Sequence, residues 1–298
     1  TEDGHGRNTA IGYQALKVLD AGANGFNTAI GYQAGVSINT GTVNTLIGHQ
    51  AGDALTTGNN NVAVGHEALG AEVQGDQNVA VGVGALQAQS NSTDVDTQNT
   101  AVGYNAGLAV TTGIENALFG ARTGISLTDA DKNTAIGEEA LNTDTLGSKT
   151  TAIGYRALYN QNFTTATDSF NTAVGFDSGL QITTGVQNVL VGSQCGDALT
   201  DADENVAMGH GTLSSDTLGS KSTALGYNAL NAQNFTTATN SHNTAVGYYA
   251  GVAVSTGTEN TLIGAKAGLN LASGSNNTYI GSLAGFNTTN GGNNVVVG

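Results

Sequence analysis

Asn27-Thr28-Ala29-Ile30-Gly31 decides the fold, because the chain repeats it as Asn44-Thr45-Leu46-Ile47-Gly48 and goes on repeating it to Asn294-Val295-Val296-Val297-Gly298. The first copy is Asn8-Thr9-Ala10-Ile11-Gly12. The motif glycine falls at 12, 31, 48, 65, 82, 103, 120, 137, 154, 175, 192, 209, 226, 247, 264, 281 and 298, which makes seventeen copies. After a first spacing of 19 the intervals run 17, 17, 17, 21 and repeat, so a 72-residue period lies over the shorter one. Leu46, Leu118, Leu190 and Leu262 keep that longer beat. Repetition at a fixed short period is the mark of a solenoid, in which each unit buries its apolar side only against its neighbours.

Inside one copy the alternation has period two, the strand periodicity. After the motif Asn position comes Thr or Val in sixteen of seventeen copies, Ala117 being the exception, then usually Ala, then an apolar residue that is Ile, Val, Leu, Met or Phe, then Gly. This pattern predicts one branched, apolar strand face turned inward and one nearly bare Ala/Gly face turned outward. The bare face would let identical chains pack side by side, as small residues allow close backbone approach. Runs such as Val36-Ser37-Ile38, Leu108-Ala109-Val110, Ile125-Ser126-Leu127, Leu180-Gln181-Ile182 and Val252-Ala253-Val254 predict a second short strand in most turns. The reading is an all-β chain: a parallel β-solenoid of 17 rungs of about 17 residues, one continuous repeat domain over 1–298, with longer turns near 88–98, 160–170 and 232–242. Asn27, Asn44, Asn61 and Asn78 are expected to stack as an amide ladder, with Gly31, Gly48, Gly65 and Gly82 closing each strand.

Composition agrees and excludes other classes. The chain has 44 glycines but no proline and no tryptophan, and aromatics make up 5% of it, too few large side chains for the core of a globular enzyme of 298 residues. One cysteine rules out an internal disulfide framework. No apolar run is long enough to span a membrane, and no basic-then-apolar start marks a signal peptide. Beginning and ending in mid-turn, the sequence reads as a stretch of a longer fibre. A formal charge of −15 disfavours nucleic acid and anionic lipid as partners.

Repeated Asn-Thr-Ala-Ile-Gly-Tyr-x-Ala resembles the head repeats of trimeric autotransporter adhesins and the Asn-Thr-Ala-Ile-Gly repeats of phage tail-fibre and related bacterial surface fibre proteins. The resemblance covers the whole chain. It implies a left-handed β-roll assembled as a homotrimeric rod, extracellular on a bacterial surface or a virion, that attaches to a glycan or protein receptor and performs no catalysis. The 17-residue rungs and the regular 21-residue spacings depart from the adhesin head and lean toward a tail fibre.

Several residues stand out as candidate sites. The longer turns carry Asp94 and Asp96, then Asn162, Phe163 and Thr164, then Asn234, Phe235 and Thr236, and the two phenylalanines are expected on exposed loops as receptor contacts. Asp129 and Asp131, like Asp201 and Asp203, flank a turn alanine and form an acidic pair able to take calcium, the one cofactor the sequence raises. His49, His66 and His210 share a column with Tyr13, Tyr32, Tyr104, Tyr155, Tyr227 and Tyr248, so His49 and His66 should lie about 5 Å apart on adjacent rungs. Such a column suits wet-tipped aromatic packing, with metal binding as the alternative. Cys195 reads as a small buried residue. The Thr column that includes Thr28 and Thr45 raises ice binding as an alternative function, weakened by the expectation that this column faces inward.

Overall fold

A computed structural model describes residues 6–20 and 24–298. The chain is a parallel β-solenoid of about 17 turns, and no helix occurs among the described residues. It divides into two compact units, one of Thr1–Ser148 with Thr164–Thr167 and one of Lys149–Phe163 with Asp168–Gly298.

In the first unit eight three-residue strands, from Thr9–Ile11 to Thr134–Ile136, come from consecutive motif copies. Neighbours pair parallel and in register: Thr28 on Thr45, Thr45 on Val62, Val62 on Val79. Nine such strands, from Thr151–Ile153 to Val295–Val297, build the second unit. Each strand donates to the next rung at its start, as in Thr28 N to Asn44 O, and accepts from it at its end, as in Gly48 N to Ile30 O, both 2.8 Å.

The orientation is the reverse of the sequence expectation. The middle residue of the motif points inward: Ala29, Leu46, Ala63, Ala80, Ala101 and Leu118 have no exposure at all. The Thr/Val and Ile/Val residues point outward, with Ile47 and Phe119 at 36% and 40% exposed. The coil is too narrow for two branched walls. An alanine methyl on the strand leaves room for a leucine from the opposite turn, such as Leu69 or Leu86, both fully buried. Where the strand carries Leu, the opposite turn carries Gly. A Cβ added at Gly52 would stand 2.8 Å from a Leu46 methyl, and one at Gly124 would stand 3.0 Å from a Leu118 methyl. The 72-residue Leu column therefore marks a large-for-small exchange across the core, which keeps interior density constant.

The expected second strand is also absent. Val36–Ile38 and its counterparts are turns, because Gln33 (φ 57°) and Gly35 (φ 56°) sit in the left-handed region and curl the chain. Local bonds, Val36 N to Gln33 O at 3.2 Å and Ile38 N to Gly35 O at 3.1 Å, close those turns, while Gly35 N reaches Ala51 O of the next rung at 3.0 Å. One strand per rung is what remains. The additional two-residue strands lie instead around the longer turns, as Gly75–Asp76 with Val95–Asp96 and Gly219–Ser220 with Thr239–Asn240.

The motif glycine is required by position. Gly48 and Gly65 have φ near +143°, and a Cβ on either would stand 2.3 Å from the carbonyl oxygen of the next motif glycine. Beside them runs the asparagine ladder. The backbone N of Asn44 donates to Asn27 Oδ1 at 2.9 Å, Asn61 to Asn44 and Asn78 to Asn61 at 3.0 Å. Each amide nitrogen also closes its own corner, as Asn61 Nδ2 does on Gly75 O at 2.9 Å. These bonds satisfy backbone groups that the narrow core would otherwise orphan.

Candidate functional site

Two surface features carry most of the chemistry. The first is the outward face of the motif strands. Its Thr/Val file and its Ile/Val file contain no Asp, Glu, Lys or Arg at any of the seventeen rungs. In the first unit Ile47, Phe119 and Ile136 are exposed along it, and in the second Met208, Ile263 and Ile280. On each unit these side chains form a regular, uncharged strip along the outward strand face.

Along one margin of that face lies the Tyr/His column. Tyr13 stacks on Tyr32 at 5.4 Å, Tyr32 on His49 at 5.1 Å, and His49 on His66 at 4.9 Å, with planes 18° apart or less. In the second unit Tyr155 stacks on Phe176 at 5.4 Å and Tyr227 on Tyr248 at 5.7 Å. The rings use their faces on one another and show solvent their edges. Below the column, Gln50, Asp53, Glu67, Gly70, Ala71 and Gln87 line a shallow cleft of about 220 Å³. The cleft arises because Gly70 puts no side chain between Asp53 and Gln87 of the flanking rungs. Burial pushes the Asp53 carboxyl above its ordinary range, against the hydrogen bonds it accepts, and the nearby Glu67 charge adds to the rise.

The second feature is the set of longer turns. Phe163 and Phe235 do not stand on exposed loops; they are 5% and 6% exposed. The Phe235 ring covers Gly219, where an added Cβ would meet it at 2.8 Å. The outer surface of these turns is instead Thr164-Thr165-Ala166 and Thr236-Thr237-Ala238, all exposed, with Asn234 exposed and Asn162 half-buried. Asp94 is exposed, and Asp96 accepts from Gln77 Nε2 at 2.6 Å.

What holds these turns was not read from the sequence. Glu72, fully buried, accepts from the backbone N of Val73, Gln74, Gly75 and Asn91 on one oxygen at 2.8–3.1 Å. Its other oxygen accepts from Gln89 at 2.9 Å and Asn91 at 3.0 Å. Asp216, also fully buried, takes the backbone N of Gly219 and Phe235 and the Gln233 amide. Asp144 caps Gly147 N in the same way at 3.1 Å. Residues 72, 144 and 216 each stand seven after the motif glycine of the rung that precedes a long one. That spacing is the signal that could have found them.

Gln89 and Gln233 then patch the ladder. Asn99 Nδ2 donates to Gln89 Oε1 at 3.0 Å. Where Ser222 replaces the ladder asparagine, Gln233 donates to its hydroxyl at 2.8 Å and accepts from Asn243 at 2.9 Å, and Ser241 closes on it at 2.5 Å.

Each of the two acidic pairs raised for calcium is hydrogen-bonded to the preceding rung. Asp129 and Asp201 accept from Thr112 and Thr184 of the preceding rung at 2.7 Å, and Asp131 and Asp203 cap Ile114 N and Val186 N at 2.8 Å. Cys195 is buried against Thr212 and the Ala207 carbonyl, and burial pushes its thiol up to about 11. Half-buried Asp197 carries the only buried side-chain oxygen or nitrogen among the described residues without a hydrogen-bond partner, its Oδ1. Neither a family model nor a curated protein matches the chain. No helix of the described residues is long and apolar enough to cross a membrane.

Proposed function

We propose that this chain is a structural and adhesive segment of an extracellular fibre, on a bacterial surface or a phage tail, assembled as a homotrimer and attached to a cell-surface glycan or protein. The observation that carries the reading is the uncharged outward face. Each rung offers water a branched apolar side chain, so stacked rungs accumulate an apolar strip that a second and third copy would cover. This assembly surface is the Thr/Val and Ile/Val face, not the Ala/Gly face, which is the core. The longer turns, pinned from below by buried carboxylates, present short threonine-rich tips suited to a receptor. The thinly spread charge of −15 keeps such a fibre soluble and away from nucleic acid.

Light scattering on the purified chain tests the assembly. A trimer mass is expected, and Ile47→Asp combined with Ile136→Asp should release monomers with an unchanged β spectrum. A wild-type monomer at all concentrations would remove the reading. A second reading, ice binding, gains from one specific finding: the Thr file, including Thr28, Thr45, Thr100 and Thr134, faces outward. Measurable thermal hysteresis by the monomer would favour it, and its absence leaves the fibre.

A further inference from the structure

The His49–His66 pair is left unused by the fibre reading. Both rings are exposed, they lie 4.9 Å apart with planes 7° from parallel, and no hydrogen bond to any of their nitrogens occurs among the described residues. Parallel in-register strands hold the two backbones rigidly, so little ordering cost remains for a ligand that engages both.

Carboxylates complete the surroundings. Glu67 Oε1 stands 3.9 Å from His66 Nε2, and Asp53 feels the His49 ring electrostatically. Bonds from a divalent ion to an imidazole nitrogen and a carboxylate oxygen are each about 2.0–2.2 Å, so an ion shared by His66 and Glu67 draws their 3.9 Å separation in to about 3.0–3.5 Å, a change that exposed side chains make by rotation. The parallel stack holds the nitrogen lone pairs of the two rings in separate planes, so the exposed His49 side chain has to turn out of the stack for a second nitrogen to meet the same ion, while both backbones stay fixed. No three such side chains are already gathered about one point among the described residues. Water fills the remaining positions.

We propose that His49 and His66, with the Glu67 carboxylate, form a surface site for a transition-metal cation of the Cu2+ or Zn2+ class. Two imidazoles and one carboxylate suit those ions and not calcium or magnesium, which take oxygen ligands. The rest of the same column supplies an internal control. His210 occupies the same register, but its neighbours are Ser193 and Tyr227, and its Nδ1 is engaged with the Ser193 carbonyl at 3.0 Å.

Cu2+ titrated into the metal-free full chain, read by calorimetry and electron paramagnetic resonance, tests the site. One ion per chain is expected, with two nitrogen donors resolved in the spectrum. His49→Asn and His66→Asn should each weaken binding at least about tenfold, since losing a ligand costs no less than losing an outer-shell partner. His210→Asn and His242→Asn should leave it unchanged. Equal affinity in the His49→Asn/His66→Asn double variant, or a spectrum with a single nitrogen, would overturn the assignment. All four side chains can be changed with circular dichroism confirming the fold, so loss of binding is not confused with unfolding.

Discussion

Replacing Asn61 with alanine tests how the solenoid is held together. Asn61 is fully buried, and its side chain serves three partners on two rungs. Its Oδ1 accepts from Asn78 N at 3.0 Å and Asn78 Nδ2 at 3.1 Å, and its Nδ2 donates to Gly75 O at 2.9 Å. Alanine leaves Asn78 N and Gly75 O without partners in a corner that water does not reach. A buried backbone group left unsatisfied costs about 1–3 kcal/mol, so two predict a loss of about 2–6 kcal/mol. Serine at the same place should rescue little. The natural serine at position 222 works because Gln233 and Ser241 converge on its hydroxyl, and no such pair stands beside Asn61. Repeat arrays can open rung by rung, so urea unfolding should be paired with hydrogen exchange at Asn78 and neighbouring amides. A loss below about 1 kcal/mol with protection at Asn78 intact would refute the ladder as a source of stability.

Other outcomes follow from the same geometry. Gly65→Ala places a Cβ 2.3 Å from Gly82 O at φ +143°, a clash with backbone on both counts, and should abolish folding or lower the melting midpoint by more than 10 °C or so, checked by circular dichroism. Cys195, with its thiol pushed up to about 11, should resist a disulfide-exchange reagent at pH 8 in the native state and react at once in guanidinium; fast native labelling would contradict its burial. Asp197 has its carboxyl raised by burial, so the folded state binds its proton more tightly than the unfolded chain does, and stability tied to this group falls as pH rises through the raised value. Asp197→Asn should therefore raise the melting temperature at pH 7, with the gain shrinking toward pH 4; a gain that grows on acidification would refute this.

Much of the architecture was legible in the letters. Seventeen copies in phase, each with a period-two core and a terminal glycine, leave little choice but in-register parallel strands, because identical side chains stack without penalty only when each rung repeats the last. The asparagine ladder follows from the same logic. The candidate site was less legible. Phe163 and Phe235 lie in turns that are long on paper, yet their rings are buried, and nothing local to those residues distinguishes a displayed phenylalanine from a covering one. The residues beside Glu72 and Asp216 carry no mark of a buried acid. Their own turns supply backbone N–H groups, and the longer turn of the next rung closes over them with Asn91 N and Phe235 N.

The sequence by itself determined the period, the strand, the glycine at its end and the stacking of like on like. Tertiary structure alone decided which side of the strand is inside. A period-two pattern defines two faces without naming either as core, and the usual rule sends the branched face inward. Here the opposite wall already carries Leu69, Leu86 and their counterparts, and the coil is so narrow that only a methyl fits across from them. The alanines therefore went in, and Ile47, Phe119 and Ile136 were left facing outward.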